Sequence, residues 1–198
     1  TRATKETEIT VKINLDGDGK YNVACDFKFF KHMLEQIAAH ANYDLEITAA
    51  SKDGDAHHLV EDTAITLGEA LIEALGDKKG IVRYGAKCLP MDDALVRCVL
   101  DLSGRMFCKV NVNLKDERTS DFETVLLSHF FRSFAQSSKS TIHIDELDGE
   151  DTHHIIEATF KAFAHALSQA TEINPKHSEK LLSTKGFLLY TSEAADDK

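Results

Sequence analysis

The segments His57-His58-Leu59-Val60-Glu61 and His153-His154-Ile155-Ile156-Glu157 carry one pattern twice, 96 residues apart (153−57). Each is preceded by a further histidine, His32 by 25 residues (57−32) and His129 by 24 (153−129). Each segment opens a helix-like run. On a helix, positions i and i+4 share a face and so do i and i+3, so Glu61 can converge with His57 or His58, and Glu157 with His153 or His154. Adjacent histidines diverge by roughly 100° around the axis and are poorly placed to grip one ion together. Each pair is therefore expected to serve two different ions. A lone pair of histidines followed by a glutamate reads equally well as a solvated helix start. The duplication weighs against that reading, because six of the ten histidines fall inside the scheme. Imidazole plus carboxylate, with no cysteine nearby, suits Mn, Fe, Zn or Ni rather than a thiolate structural site.

The stretches between these segments alternate in period. Residues 8–15 and 21–25 read as strands flanking Asp16-Gly17-Asp18-Gly19, which is expected to close a hairpin. Residues 29–41 read as an amphipathic helix with His32, Gln36 and His40 on one stripe. Residues 44–49 read as a strand, and 57–75 as a long helix with Gly76 as its C-cap. The order then repeats: strands at 94–102 and 106–114, a helix at 122–136 with His129, a strand at 140–144 and a long helix at 153–170. This predicts an α+β fold of two duplicated half-domains, 1–88 and 89–198. Each is a small, mostly antiparallel sheet with two helices on one face, and the two pack as one unit around a shared site.

Composition excludes several function classes. A net charge of −10 argues against nucleic acid or an anionic membrane as partner, though local basic residues can still bind one small phosphate. Cys25, Cys88, Cys98 and Cys108 show neither CxxC spacing nor the density of a disulfide scaffold. With no run of about 20 apolar residues, the expectation is a soluble, cytoplasmic protein. No GxGxxG is present, so nothing points to a nicotinamide cofactor.

Several further motifs lie in order along nearly the whole chain. They are Arg2-Ala3-Thr4-Lys5-Glu6-Thr7, His32-Met33-Leu34, His57-His58 with Glu61-Asp62, Gly80-Ile81-Val82-Arg83-Tyr84-Gly85, Pro90-Met91-Asp92, Asp101-Leu102-Ser103-Gly104-Arg105, the second histidine pair with Phe160-Lys161, and Ser183-Thr184-Lys185-Gly186. Together they resemble the imidazoleglycerol-phosphate dehydratases of histidine biosynthesis. Three places depart from that pattern: Lys31 stands where an acidic residue is usual, the loop before His57 is one residue short, and Gly149-Glu150-Asp151 replaces Gly-x-Asn.

The resemblance implies dehydration of D-erythro-imidazole glycerol phosphate to imidazole acetol phosphate, an elimination in which no carbonyl acidifies the departing C–H. Two Mn(II) ions per subunit, or other divalent transition metals, would favour imidazolate, whose electrons can expel the hydroxyl through a diazafulvene-like intermediate. The implied metal ligands are His32, His57, His58, Glu61, His129, His153, His154 and Glu157. Glu6 matches an acid-base residue, and Lys161 a lysine that contacts substrate. Arg83, Arg105, Ser183 and Lys185 match the phosphate site, joined by Gln36 and His40. Trimers built into a 24-mer are implied as well, with sites shared between subunits. Read by themselves, Lys161 is an i, i+4 partner for Glu157, Glu6 a solvated strand edge, and His143 and His165 packing or surface residues. Two other functions compete: a dinuclear metallohydrolase, and a metal-storing or metal-stapled assembly protein that would have no use for the anion-binding residues.

Overall fold

The computed structural model describes residues 1–176 and 178–183. Two four-stranded sheets each carry a pair of helices, and the helices of one half pack on those of the other. The first sheet is built from β1 (Arg2–Ala3), β2 (Thr7–Asn14), β3 (Tyr21–Cys25) and β4 (Asp44–Ser51), in the order β1-β2-β4-β3. Its helices are α1 (Lys28–Ala41) and α2 (Ala56–Leu75). The second sheet contains β5 (Tyr84–Met91), β6 (Ala94–Asp101), β7 (Phe107–Asn111) and β10 (Thr141–Asp148), in the order β5-β6-β10-β7. It carries α3 (Leu126–Ser138) and α4 (Thr152–Thr171), while β8 (Arg118–Thr119) and β9 (Phe122–Glu123) form a small separate ribbon.

The two halves are expected and found, but neither opening strand pair is a hairpin. β4 lies between β2 and β3, antiparallel to the first and parallel to the second, and β10 separates β6 from β7 in the same way. Leu45, Ile47 and Ala49 of β4 are all buried, so this strand profits from a neighbour on each side. The Asp-Gly run therefore carries the chain past the start of β4 instead of turning back. Asp44 accepts the N–H groups of Asp18 and Lys20, both at 3.0 Å. Gly17 runs so close to this point that a Cβ would stand 2.3 Å from the Asp44 nitrogen. Each sheet also holds an edge strand beyond the sequence expectation, β1 and β5. The division after residue 88 falls inside β5, which lies wholly in the second sheet, so the halves part before Tyr84. Helix α3 starts four residues later than the expected 122, because Phe122 and Glu123 belong to β9.

Helix α1 packs on α4, and α2 on α3. Phe130, Phe131 and Phe134 of α3 meet Phe160 and Phe163 of α4, with ring centroids between 5.0 and 5.2 Å for the contacts of Phe130 and Phe131 with these two. This aromatic core fixes the helices axially, because rings in edge and tilted contact cannot slide without losing dispersion energy. The start of α1 is capped from the other half: Asp121 accepts the N–H groups of Lys28 at 2.6 Å and Phe29 at 2.9 Å. In α2 and α4 the cap is local. Asp55 accepts the N–H of His57, and Asp151 those of His153 and His154.

Candidate metal centres

Because α1 packs on α4 and α2 on α3, each histidine pair meets the lone histidine of the opposite half. His32 Nε2 lies 3.4 Å from Glu157 Oε2, and His153 Nε2 lies 3.2 Å from the same oxygen. Across the molecule, His57 Nε2 stands 3.5 Å from Glu61 Oε2, and the rings of His57 and His129 are 4.6 Å apart. Two donors each about 2.1 Å from one ion, at tetrahedral or octahedral angles, stand about 3.0 to 3.4 Å apart. The two distances to Glu157 Oε2 meet that requirement and the chemistry of the donors suits a divalent transition ion, while among the described residues only Glu6, Asp53 and His58 bring three ligand atoms all within 4.8 Å of one another.

The second histidine of each pair turns away. The rings of His57 and His58 are 6.0 Å apart with planes at 71°, and those of His153 and His154 are 6.0 Å apart at 79°. Asp53 lies 2.7 Å from His58 Nδ1, and Asp93 lies 2.6 Å from His154 Nδ1. Those hydrogen bonds raise the pKa of both imidazoles above the usual 6.5. Asp53 is held down to about 2, first by the Asp55 N–H and then by His58. A carboxylate on Nδ1 leaves Nε2 as the free donor, the arrangement that orients metal-binding histidines. Glu6 Oε2 lies 3.8 Å from His58 Nδ1, and Glu6, Asp53 and His58 form a cluster with ligand-atom spacings under 4.8 Å.

The two three-residue sets differ in setting. The Glu157 side chain is 7% exposed and its Oε1 takes a 2.8 Å ion pair from Lys161. Burial alone would raise its pKa, but Lys161, His32 and His153 hold it below the usual carboxylate value. Glu61 is 44% exposed. His129, beside it, has its pKa lowered by burial and then by His57 and Arg132. Lys31 reaches toward Glu35 at 3.7 Å, whose other carboxylate oxygen lies 4.0 Å from His32 Nδ1.

The expected anion residues fall in two places. Arg83 makes a two-point pair with Asp101, at 2.7 and 3.0 Å, donates to the Leu182 carbonyl and lies over the Tyr84 ring. Arg105 is exposed and its guanidinium has no hydrogen-bond partner among the described residues, while its loop is tied by Ser103. Ser183 follows Leu182, and Lys185 lies outside the described residues. Gln36 and His40 are elsewhere: Gln36 Nε2 is 3.4 Å from His32 Nδ1, and His40 Nδ1 is 3.3 Å from His165 Nε2. No hydrogen bond or ion pair among the described residues joins them to Arg83 or Arg105. His143 stacks on Phe107 on the outer face of the second sheet, and His165 is the α4 partner of His40.

Sequence reasoning missed the carboxylates that orient the second histidines and the aspartate caps. The repeated Asp-x-His-His of residues 55–58 and 151–154 was a usable signal for the caps. Asp93 carried none, being 61 residues from its histidine.

A family model described as imidazoleglycerol-phosphate dehydratase matches residues 25–167. The chain is 51% identical over 189 residues to an imidazoleglycerol-phosphate dehydratase of Roseobacter denitrificans, covering 95% of this chain and 97% of that one. It is similar to a Pyrococcus furiosus IGPD crystallised in complex with (S)-C348, with a TM-score of 0.83, 42% identity, and 94% of this chain and 99% of the other covered. It is also similar to an imidazoleglycerol-phosphate dehydratase from Staphylococcus aureus, with a TM-score of 0.79, 38% identity, and 84% and 95% covered.

Proposed function

The chain belongs to the imidazoleglycerol-phosphate dehydratase family, hydro-lyases of histidine biosynthesis, and from that premise we propose that it converts D-erythro-imidazole glycerol phosphate to imidazole acetol phosphate with two Mn(II) ions per subunit. The observation that carries the metal dependence is the pair of His-His-Glu sets, each assembled across the two halves. His32, His153 and Glu157 would hold one ion, and His129, His57 and Glu61 the other. When bound, the ions supply Lewis-acid charge to the substrate's imidazole and acidify its ring N–H.

The protein groups do the rest. Glu6 removes the proton from carbon, which its place beside His58 supports. Lys161 keeps Glu157 ionised through one oxygen, leaving the other toward the histidines, and contacts substrate from the same position. Arg105 and Lys185, with Ser183 and Arg83, take the phosphate, whose charge suits a guanidinium fork. Gln36 and His40 approach substrate from α1. Atoms balance with the loss of one water and no change of oxidation state.

His58 and His154 complete ligand sets on neighbouring subunits; each faces away from its own trio with Nδ1 held by a carboxylate, and His154 Nε2 has Asp92 Oδ2 3.5 Å away. The trimers and 24-mer that the family resemblance implies would bring such neighbours together. All four cysteines are free, which fits a reducing cytoplasm. The test is formation of the keto product from imidazole glycerol phosphate after Mn(II) is restored to stripped protein. Product formation without any divalent ion would overturn the metal dependence.

A further inference from the structure

Glu6 stands on a short turn at the edge of the first sheet, a place where a side chain is ordinarily free to wander. Here the turn is fixed from below. Thr4 N–H donates to the Thr7 carbonyl at 3.0 Å, and the Thr4 hydroxyl accepts the N–H groups of Glu6 at 3.1 Å and Thr7 at 3.0 Å. The whole turn is then tied to α2 through Asp62. Its carboxylate accepts the Thr7 hydroxyl at 2.5 Å, Arg2 Nε at 2.7 Å and the Thr4 hydroxyl at 3.5 Å. Asp62 is 8% exposed and Thr7 fully buried. The Glu6 carbonyl takes a further bond from the N–H of Lys52, next to the Asp53 that orients His58. Helix α2 thus carries His57, His58 and Glu61 and, at the next residue, the carboxylate that anchors Glu6.

The duplicated half is an internal control. Ile9 faces Ala49 as Val96 faces Glu146, an offset of 87 (96−9); the register of β10 shifts just beyond, between Glu146 and Asp148, but Thr7 and Ala94 each lie two residues before these on the same buried face. Helices α2 and α4 correspond at 96 (152−56). The counterparts of Thr7 and Asp62 are Ala94 and Ala158, both buried. Arg2, opposite Ile9, corresponds to Leu89, opposite Val96. One half fills this position with a charged network, the other with three apolar side chains. A buried ionic network can often be exchanged as a set for apolar side chains without loss of stability, and the second half holds the equivalent position together with such a set.

We propose that Asp62 is a positioning residue, which with Thr7 and Arg2 sets the place of Glu6 against His58; this rests on the acid-base role of Glu6 proposed above. The decisive variant gives the first half the apolar set of the second, Arg2→Leu, Thr7→Ala and Asp62→Ala together. In the Mn(II)-loaded enzyme, kcat should fall at least about tenfold, since misplacing a catalytic group by about 1 Å can cost that much or more. KM, metal content and melting temperature should hold. An unchanged kcat overturns the proposal, as does a loss accounted for by KM or metal.

If the triple variant does not fold, Thr7→Ser and Thr7→Val answer instead. The hydroxyl alone should restore wild-type kcat in Thr7→Ser, and equal damage in both would defeat the proposal. Adding Asp62→Asn to Glu6→Gln should cost nothing further on the residual activity, whereas an additive loss shows that Asp62 acts elsewhere. Glu6→Gln at full activity would defeat the acid-base reading itself. An inactive Glu6→Gln beside a fully active triple variant defeats the positioning alone.

Discussion

The His32-His153-Glu157 set and the His129-His57-Glu61 set have the same ligands and different surroundings. The first lies where α1 meets α4, with a buried glutamate pinned by Lys161; the second lies where α2 meets α3, with its glutamate half-exposed. The position that corresponds to Lys161 in α2 is Ile65 (161−96). Glu6 is matched in the other half by Asp93, which serves as a hydrogen-bond partner for His154. The duplicated halves thus differ in charge: Lys161 beside Glu157 has an apolar counterpart, and Glu6 beside His58 is matched by an aspartate.

The largest effects should come from the shared ligands. Glu61→Gln and Glu157→Gln should each abolish turnover, because a neutral amide is a weak ligand and leaves a bound cation less compensated. Elemental analysis should find one ion lost in each. Glu157→Gln should also lower stability by about 1 kcal/mol in thermal melts, since it strips the partly screened Lys161 of its partner. Glu61→Gln, at an exposed position, should not.

Next come the groups found in one half. Lys161→Met should lower kcat about ten- to a hundredfold in steady-state assays, as for the loss of one charge-assisted hydrogen bond, with both ions retained. Equal loss of metal and rate would return Lys161 to a mere i, i+4 partner of Glu157. Arg105→Ala or Lys185→Ala should raise KM by about the same factor with metal content intact.

What could be read from the sequence was what is local. The histidine pairs, their glutamates and the cap at Gly76 lie within one or two helical turns, so spacing alone places them. Strand order is not local. Residues 8–15 and 21–25 alternate as a hairpin would, yet Asp44 and the apolar β4 come between them. Strand β5, with Gly85 and Pro90 inside it, carries no strand alternation in its sequence. Gly85 is there for close packing, since a Cβ would meet the Ala166 carbonyl of α4 at 1.8 Å. The partners of His58 and His154 come from loops whose approach only the folded chain determines.

The smallest expected effect is in titration. In the metal-free chain, NMR should show His58 and His154 ionising above 6.5, raised by Asp53 and Asp93, and His129 and His40 below it, lowered first by burial. The raised pair adds stability that is complete below pH 6.5 and disappears as pH climbs through their folded values. For the lowered pair the sign is opposite: their contribution is complete above 6.5 and is lost as pH falls toward their folded values. Asp93→Asn should bring His154 back toward 6.5 and leave His58 unmoved.

Anomalous scattering from Mn(II)-loaded crystals tests the central claim most directly. The expected result is two peaks per chain, one among His32, His153 and Glu157 and the other among His57, His129 and Glu61. A single peak, or two ions bridged within about 4 Å of each other as in a dinuclear hydrolase, would contradict it.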